Sequence, residues 1–188
     1  LYFIGGGQDK QQEDVASELY SHRSELLAQR DDGAVFLGIC GGYQLFGHYY
    51  KPHDKDKLAG ISLLDAYTIA GGKRFIGNVT VKTDFLAPNT LVGFENHSGL
   101  TYLEGDTVPL GIVSVGNGNN GKDGYEGARY KNVFGTYLHG SLLPKNPHFA
   151  DFLITLALEK RYGEKFVLSK LDDDIEVQTH NSLVGKAY

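Results

Sequence analysis

The chain has 188 residues and a formal net charge of −5, an acidic balance that argues against a nucleic-acid-binding or anionic-membrane-binding surface. Its single cysteine excludes an internal disulfide and fits a reducing compartment, so we expect a cytoplasmic protein. No apolar stretch approaches the roughly 20 residues of a membrane span, and the length suits one domain with a full core over residues 1–188.

Strands and helices alternate in the pattern of the first fifty residues. Residues 1–4 are an apolar strand, and because the chain opens on it and contains no methionine, we expect a strand–helix segment to be missing before it. Residues 11–29 have the periodicity of an amphipathic helix, residues 34–39 have the length of a buried strand, and residues 41–50 repeat apolar side chains at helical spacing. This order predicts a parallel sheet.

The pattern changes after the charged linker 51–57. The segments that follow are short, rich in strand-forming residues and separated by turn residues: 61–69, 74–81, 90–95, 108–115 and 125–138. The expected fold class is therefore α/β, an open, mostly parallel twisted sheet flanked by helices, with added antiparallel strands. The last clear helix begins with Asn146 as its N-cap and ends at Gly163, and we expect the tail from residue 164 to be loosely held.

The only cysteine lies at a predicted strand-to-helix turn, in Gly38-Ile39-Cys40-Gly41-Gly42-Tyr43-Gln44. Glycines flank it where a side chain would obstruct a sharp bend or a close ligand, as in a nucleophile elbow that carries Cys in place of Ser. A helix N-terminus favours a thiolate because its N–H groups and dipole stabilise negative charge. A buried structural cysteine is the alternative, but it would not need this glycine pattern.

A cysteine nucleophile needs a base, and His139 stands at the carboxyl end of an apolar strand. Open α/β sheets bind ligands at that edge, and Cys40 ends its own strand in the same sense. The imidazole would take the thiol proton and later give it to a leaving amine. A strand-end histidine bonded to backbone remains an equally open alternative on these residues alone. No metal site is predicted, because metal-ligand spacing with Cys40 is lacking for His22, His48, His53, His148 and His180.

The glycine turn Gly5-Gly6-Gly7-Gln8 after the first strand has two interpretations. It could cradle a phosphate, but it lacks the spacing of phosphate-binding loops. As part of an oxyanion hole, a glycine N–H would point at the carbonyl that Cys40 attacks, beside the N–H of Gly41. The second interpretation is favoured because the turn directly precedes the unit that bears the nucleophile.

These motifs resemble the class I (triad-type) glutamine amidotransferases, which share a flavodoxin-like sheet. All four defined positions of the elbow pattern G-x-C-x-G-x-Q match, and residues 135–140 resemble the histidine motif of the cobyric acid synthase-type branch. Residues 94–99 resemble the E-x-H-x-G element of that branch. Further stretches are similar to the glutaminase-subunit family of Gram-positive lipid II isoglutaminyl synthases, at residues 4–9, 39–44, 73–78 and 93–97.

The resemblance implies a role for each matching residue: Cys40 as nucleophile, His139 as base, Gly6 and Gly41 as oxyanion donors, and Gln44 and Arg74 as residues that hold L-glutamine. An arginine suits a free α-carboxylate because its planar fork donates two parallel bonds, although a solvated strand-edge arginine is the alternative. His97 is the runner-up base, but its neighbours suggest a structural or substrate-contact role. Most triad-type enzymes read H-x-E, whereas Ser141 occupies the third position here, as in the cobyric acid branch.

The same resemblance implies an activity and a partner. The chain would hydrolyse L-glutamine and pass ammonia to a Mur ligase-like, ATP-dependent subunit in a heterodimer, which amidates the stem-peptide glutamate of lipid II. ATP and Mg²⁺ are then expected on the partner and no cofactor in this chain, with no nucleic acid and no membrane insertion despite the lipid-linked acceptor. Two rivals are a cysteine hydrolase or glyoxalase-like enzyme of the same fold without a synthase partner, and a non-catalytic interaction module.

Overall fold

The computed structural model describes residues 1–7 and 9–187, without the side chains of residues 9–13. Gln8 of the glycine turn therefore lies outside the described residues. The strands are β1 (Tyr2–Ile4), β2 (Phe36–Ile39), β3 (Tyr49–Lys51), β4 (Leu58–Ala59), β5 (Ala66–Lys82), β6 (Thr90–Leu103), β7 (Gly111–Val115), β8 (Tyr125–Glu126), β9 (Ala128–Tyr130) and β10 (Val133–Thr136). The helices are α1 (Asp9–Ser21), α2 (Arg23–Asp31), α3 (Gly41–Phe46), α4 (Leu142–Lys145), α5 (Pro147–Tyr162) and α6 (Asp174–Leu183).

The predicted parallel core is a four-stranded sheet of order β1-β2-β10-β9. β1 and β10 both pair with β2 in parallel, and β9 adds an antiparallel edge. All four residues of β2 are buried because both faces of the strand are covered, which is the usual environment of a parallel strand. The predicted α/β class with a parallel core is confirmed.

The added strands form mainly a second sheet, in which β5 pairs with β6 and β7 in antiparallel fashion and with β3 in parallel. Two isolated backbone bridges lie between the sheets: Phe94 of β6 pairs with His139, just after β10, and Val108, between β6 and β7, pairs with Arg129 of β9. His139 therefore lies where the two sheets meet. The strand that the sequence indicated at 125–138 is divided among β8, β9 and β10 by tight turns.

Two predicted helices differ from those observed. The helix expected over 11–29 is broken at His22 into α1 and α2. The helix expected over 41–50 ends at Phe46, and Tyr49–Lys51 form β3, because Tyr50 and Lys51 pair with β5. Tyrosines at helical spacing also suit a strand, and the available partner strand decides between the two.

The C-terminal tail is docked by a histidine, so the expectation of a loosely held tail is wrong for α6. His180 is buried, with Nε2 against the Thr90 hydroxyl (2.8 Å) and Nδ1 against the Lys145 carbonyl (2.9 Å). Asn146 precedes α5 but makes no side-chain cap; its amide instead bonds both backbone groups of Val92. Gly163 ends α5 in the left-handed conformation, as predicted.

The apolar core lies on both faces of the first sheet. One cluster packs the sheet against β5, β6 and α5, and includes Leu37, Val81, Leu91, Phe134 and Phe149. The other packs it against α2 and α3, and includes Phe36, Tyr43, Phe46, Leu64 and Tyr137. Within the described residues, no helix is long and apolar enough to cross a membrane.

Candidate active site

A nucleophile elbow forms at the junction of β2 and α3. Cys40 has φ 51° and ψ −104°, a conformation that residues with a side chain rarely adopt and that costs roughly 1–3 kcal/mol. Its N–H donates to the Thr136 carbonyl (2.8 Å), and its carbonyl accepts from the Gln44 N–H (3.0 Å). Strand β10 and the first turn of α3 therefore hold the strained turn that presents the partly buried thiol.

Two glycines of the elbow are required by close approach. A Cβ on Gly42 would collide with the carbonyl oxygen of Ile4 in β1, and a Cβ on Gly38 would lie 2.8 Å from the Phe46 ring. Helix α3 can start directly against β1 and β2 because both positions lack a side chain. This is the physical reason for the glycine pattern that singled out Cys40 in the sequence.

Gly6 lies beside both Cys40 and the His139 imidazole. A Cβ built on Gly6 would lie 3.4 Å from the Cβ of Cys40 and 3.4 Å from Cε1 of His139. The two residues come together because β2 and β10 are adjacent and parallel, with Ile39 paired to Thr136. Gly6, Cys40 and His139 thus surround one small space at the edge where open α/β sheets bind ligands.

Two clefts adjoin this space. One, of about 390 Å³, is lined by Gly6, Gly41 and Gly42 among others, and the other, of about 320 Å³, runs from Gly6 past His139 and Ser141. Both volumes fit the range of small-molecule sites, about 300–1,000 Å³. Gly6, Gly41, Cys40 and His139 are thus brought together, and neither of these two linings includes Arg74 or Gln44.

The His139 side chain is partly desolvated, and none of the carboxylates that the structure describes pairs with it. Burial, and then the neighbouring His97 imidazole, lower the pKa of His139 below its ordinary value of 6.5. Its buried Nε2 has no hydrogen-bond partner, and no carboxylate of the described residues lies within ion-pair distance. Ser141 is exposed and left-handed (φ 62°), and its hydroxyl caps nothing. The lowered pKa favours the neutral imidazole near pH 7, and its Nε2 makes no bond to backbone.

His97, the runner-up base, is part of a buried network instead. Its ring lies flat on Tyr137, with ring centroids 3.6 Å apart, and its Nδ1 is 2.9 Å from the Gly99 carbonyl. Its Nε2 lies 3.8 Å from the buried carboxylate of Glu95, which accepts bonds from Asn117 and the Gly118 N–H. Burial would raise the pKa of Glu95, but the His97 imidazole and these donors together lower it. This placement supports a structural role.

Glu126 is a buried acid that sequence reasoning missed. One carboxylate oxygen accepts from the Thr136 hydroxyl (2.5 Å) and from the Tyr137 N–H (2.8 Å), and burial raises the pKa of the group. These bonds fix the end of β10 just before His139. The only sequence signal was a lone glutamate inside a strand-rich segment, which without its partners is typical of an exposed residue.

Gln44 and Arg74 lie in contrasting places. Gln44 is buried, and its Nε2 donates to the Tyr137 hydroxyl (3.2 Å), which ties α3 to β10. Arg74 is exposed in β5, where its Nη1 donates to the Asn96 side chain (2.6 Å). The adjacent Phe75 packs edge-on against His97, so Arg74 borders the buried network at the surface.

A parallel α/β sheet with a cysteine elbow, a facing histidine and an adjacent glycine turn is an arrangement that suits a glutamine amidotransferase domain. The family model of the CobB/CobQ-like glutamine amidotransferase domain matches residues 1–147. The chain belongs to this family, which confirms the resemblance drawn from the motifs.

Named relatives refine the comparison. The chain is 41% identical over 187 residues to the lipid II isoglutaminyl synthase (glutamine-hydrolyzing) subunit GatD of Staphylococcus aureus, covering 100% of this chain and 75% of that protein. It is 40% identical to the subunit of the same name from Streptococcus pneumoniae, covering 92% and 66%. A probable cobyric acid synthase of Methanococcus maripaludis is 35% identical, over 89% of this chain and 34% of that protein.

Proposed function

We propose that the chain is the glutamine-hydrolysing subunit of a lipid II isoglutaminyl synthase. The observation that carries the proposal is the meeting of Cys40, His139 and Gly6 at the carboxyl ends of two adjacent parallel strands. The two relatives named for this synthase, at 41% and 40% identity, supply the substrate and the pathway. The buried network around Tyr137 gives the site a rigid support.

The proposed chemistry is acyl transfer to sulfur. His139 takes the thiol proton of Cys40, the sulfur attacks the side-chain amide carbon of L-glutamine, and N–H groups of Gly6 and Gly41 stabilise the oxyanion. The imidazolium then gives its proton to the departing ammonia as the C–N bond breaks. Water, deprotonated by His139, cleaves the glutamyl thioester and releases glutamate. Arg74 would bind the α-carboxylate, and Gln44 would act at the substrate pocket together with Tyr137.

The ammonia would pass to a Mur ligase-like subunit that forms a heterodimer with this chain in the cytoplasm. ATP and Mg²⁺ are proposed to bind to that partner, where the stem-peptide carboxylate is activated before ammonia attacks it. The lipid-linked acceptor would likewise be held by the partner.

The function is tested by following the amide nitrogen. With the co-expressed ligase, ATP and lipid II, glutamine labelled with ¹⁵N in its side chain should yield ¹⁵N-labelled isoglutaminyl lipid II. A cysteine hydrolase without a synthase partner would release labelled ammonia and leave lipid II unlabelled. A non-catalytic module would release no ammonia, and either of these results contradicts the proposal.

Arg74→Ala is expected to raise KM for glutamine roughly 10- to 100-fold with little change in kcat, because losing a charge-assisted bond costs about 1.5–3 kcal/mol. Lys73→Ala is the matched control, since Lys73 is the adjacent exposed cation of the same strand. Steady-state kinetics of both variants make the comparison. An unchanged KM in Arg74→Ala would place the guanidinium outside the pocket.

Ser141→Glu is expected to accelerate glutamine hydrolysis by the isolated chain, because a carboxylate two residues after His139 can orient and stabilise the imidazolium. The unmodified chain should be slow alone and faster with its ligase, if the partner supplies a carboxylate or orders the site. Ser141→Asn is the control, since Asn tolerates the left-handed backbone but carries no charge. Equal rates for the free chain, the complex and both variants would show that His139 needs no acidic support.

The pH profile should reflect the lowered pKa of His139. The base acts in its neutral form, so kcat/KM should rise through an apparent pKa below 6.5 and level off above it. A carboxylate introduced as Ser141→Glu favours the charged imidazole and should move this limb to higher pH. A rise of kcat/KM with an apparent pKa above 6.5 in the unmodified chain would contradict the assignment of His139 as a neutral, desolvated base.

A further inference from the structure

Three potential metal ligands converge outside the Cys40 site. His48 follows α3, Asp65 precedes β5 and Glu104 follows β6. Each offers one ligand atom, and the three atoms lie within 4.8 Å of one another. The residues are 17 or more positions apart in the chain, so their meeting is a product of the fold.

The histidine is oriented in the manner of a metal ligand. Its Nδ1 lies 3.1 Å from the Ser62 hydroxyl, and its Nε2 faces Asp65, with an Nε2–Oδ1 distance of 2.7 Å. Metal-bound histidines commonly have one ring nitrogen fixed by an oxygen while the other faces the ion. The Ser62 hydroxyl can fill that fixing role here.

Charge and backbone geometry also favour a cation. No lysine or arginine in the part of the chain that the structure describes forms an ion pair with Asp65 or Glu104; the one ionisable partner of Asp65 is His48. The two carboxylate residues are held together because the Glu104 N–H donates to the Asp65 carbonyl (2.7 Å). Gly105 (φ 52°) closes the loop, and a Cβ there would collide with the Asp65 carboxylate.

There is room for the remaining ligands. A cleft of about 250 Å³ is lined by His48, Ser62 and Asp65, and also by Asp106 and by Arg30, whose guanidinium donates to the Ser62 and Leu63 carbonyls. Waters in this cleft could complete the coordination sphere of an ion bound by three protein ligands. The side chains of His48 and Asp65 are 40% and 45% exposed, so an ion can reach them from solvent without opening the fold.

We propose that His48, Asp65 and Glu104 bind one divalent transition-metal ion, with zinc the best match to one imidazole and two carboxylates. The ion replaces the bond between His48 and Asp65. It connects three segments of the chain: the one just after α3, the one just before β5 and the one just after β6. This site is separate from the Cys40 site. Because only the folded chain brings the ligands together, binding should raise the melting temperature.

The test titrates Zn²⁺, and Co²⁺ as a spectroscopic probe, into the Cys40→Ala chain, in which the competing thiol is absent. We expect one ion per chain, a rise in Tm, and affinity at least about 10-fold weaker in His48→Gln, Asp65→Asn and Glu104→Gln. The controls are Asp106→Asn, a carboxylate of the same cleft, and His53→Gln, a histidine bonded to the Gly71 carbonyl. Both should bind as the parent does.

Glu104→Gln keeps the test decisive if a more buried variant fails to fold, because Glu104 is exposed. Absence of saturable binding at one ion per chain would overturn the proposal. Binding that survives all three ligand changes, or that falls equally in both controls, would overturn it as well.

Discussion

Cys40→Ala is expected to abolish ammonia release from glutamine, with a loss of at least about 10⁴-fold in kcat. The thiol is the only one in the chain, and the reaction proposed here passes through a bond to its sulfur. The variant should fold, because alanine keeps the Cβ and puts no new atom into the strained turn. Cys40→Ser, with a far weaker nucleophile, should be nearly as inactive.

The control for this experiment is structural. Melting temperatures and glutamine binding should be close to those of the unmodified chain in both variants, so that lost activity means lost chemistry. Continued ammonia release by a well-folded Cys40→Ala chain would exclude nucleophilic catalysis at this residue.

His139→Asn is expected to lower kcat roughly 10²- to 10⁴-fold while changing KM little, because general acid–base help is lost but no substrate contact is removed. The remaining thiol must then lose its proton to water, and ammonia must leave without a positioned acid. The effect should appear with and without the partner subunit.

His148→Asn is the matched control for His139→Asn. Burial also lowers the pKa of His148, but this residue lies in α5 and bonds the Thr90 carbonyl (2.9 Å). Its replacement should leave kcat unchanged. If His139→Asn retained full activity while His97→Asn lost it, the base would have to be reassigned to His97.

The features that the sequence predicted are local ones. The elbow at Cys40 follows from glycines spaced so that a helix can start against two strands, and close approach at Gly38 and Gly42 is visible in the structure. The parallel core follows from an apolar run, β2, that is buried on both faces. The end of α5 at Gly163 could be predicted because glycine adopts the left-handed conformation without help from a distant part of the chain.

The features that escaped prediction depend on distant partners. β3 forms where a helix was expected, because Tyr50 finds Thr68 as a parallel neighbour. Helix α6 is docked because His180 reaches Thr90, ninety positions earlier. Side-chain contacts across such separations leave no periodic signal in the chain.

The same distinction applies to residues in and around the candidate active site. His139 could be named because its motif is contiguous, whereas Glu126 was missed because its bonds to Thr136 and Tyr137 span ten positions or more. The sequence motif singled out Gln44 as a site residue but did not show where its side chain points. In the structure this side chain is buried and bonds the Tyr137 hydroxyl.

Covalent trapping of the nucleophile tests the central proposal most directly. The chain is incubated with an electrophilic glutamine analogue, alone and with excess glutamine, and its peptides are analysed by mass spectrometry. We expect one adduct per chain, on Cys40, formed more slowly when glutamine competes and absent from Cys40→Ala. An active preparation in which Cys40 stays unmodified, or is modified at a rate indifferent to glutamine, would contradict it.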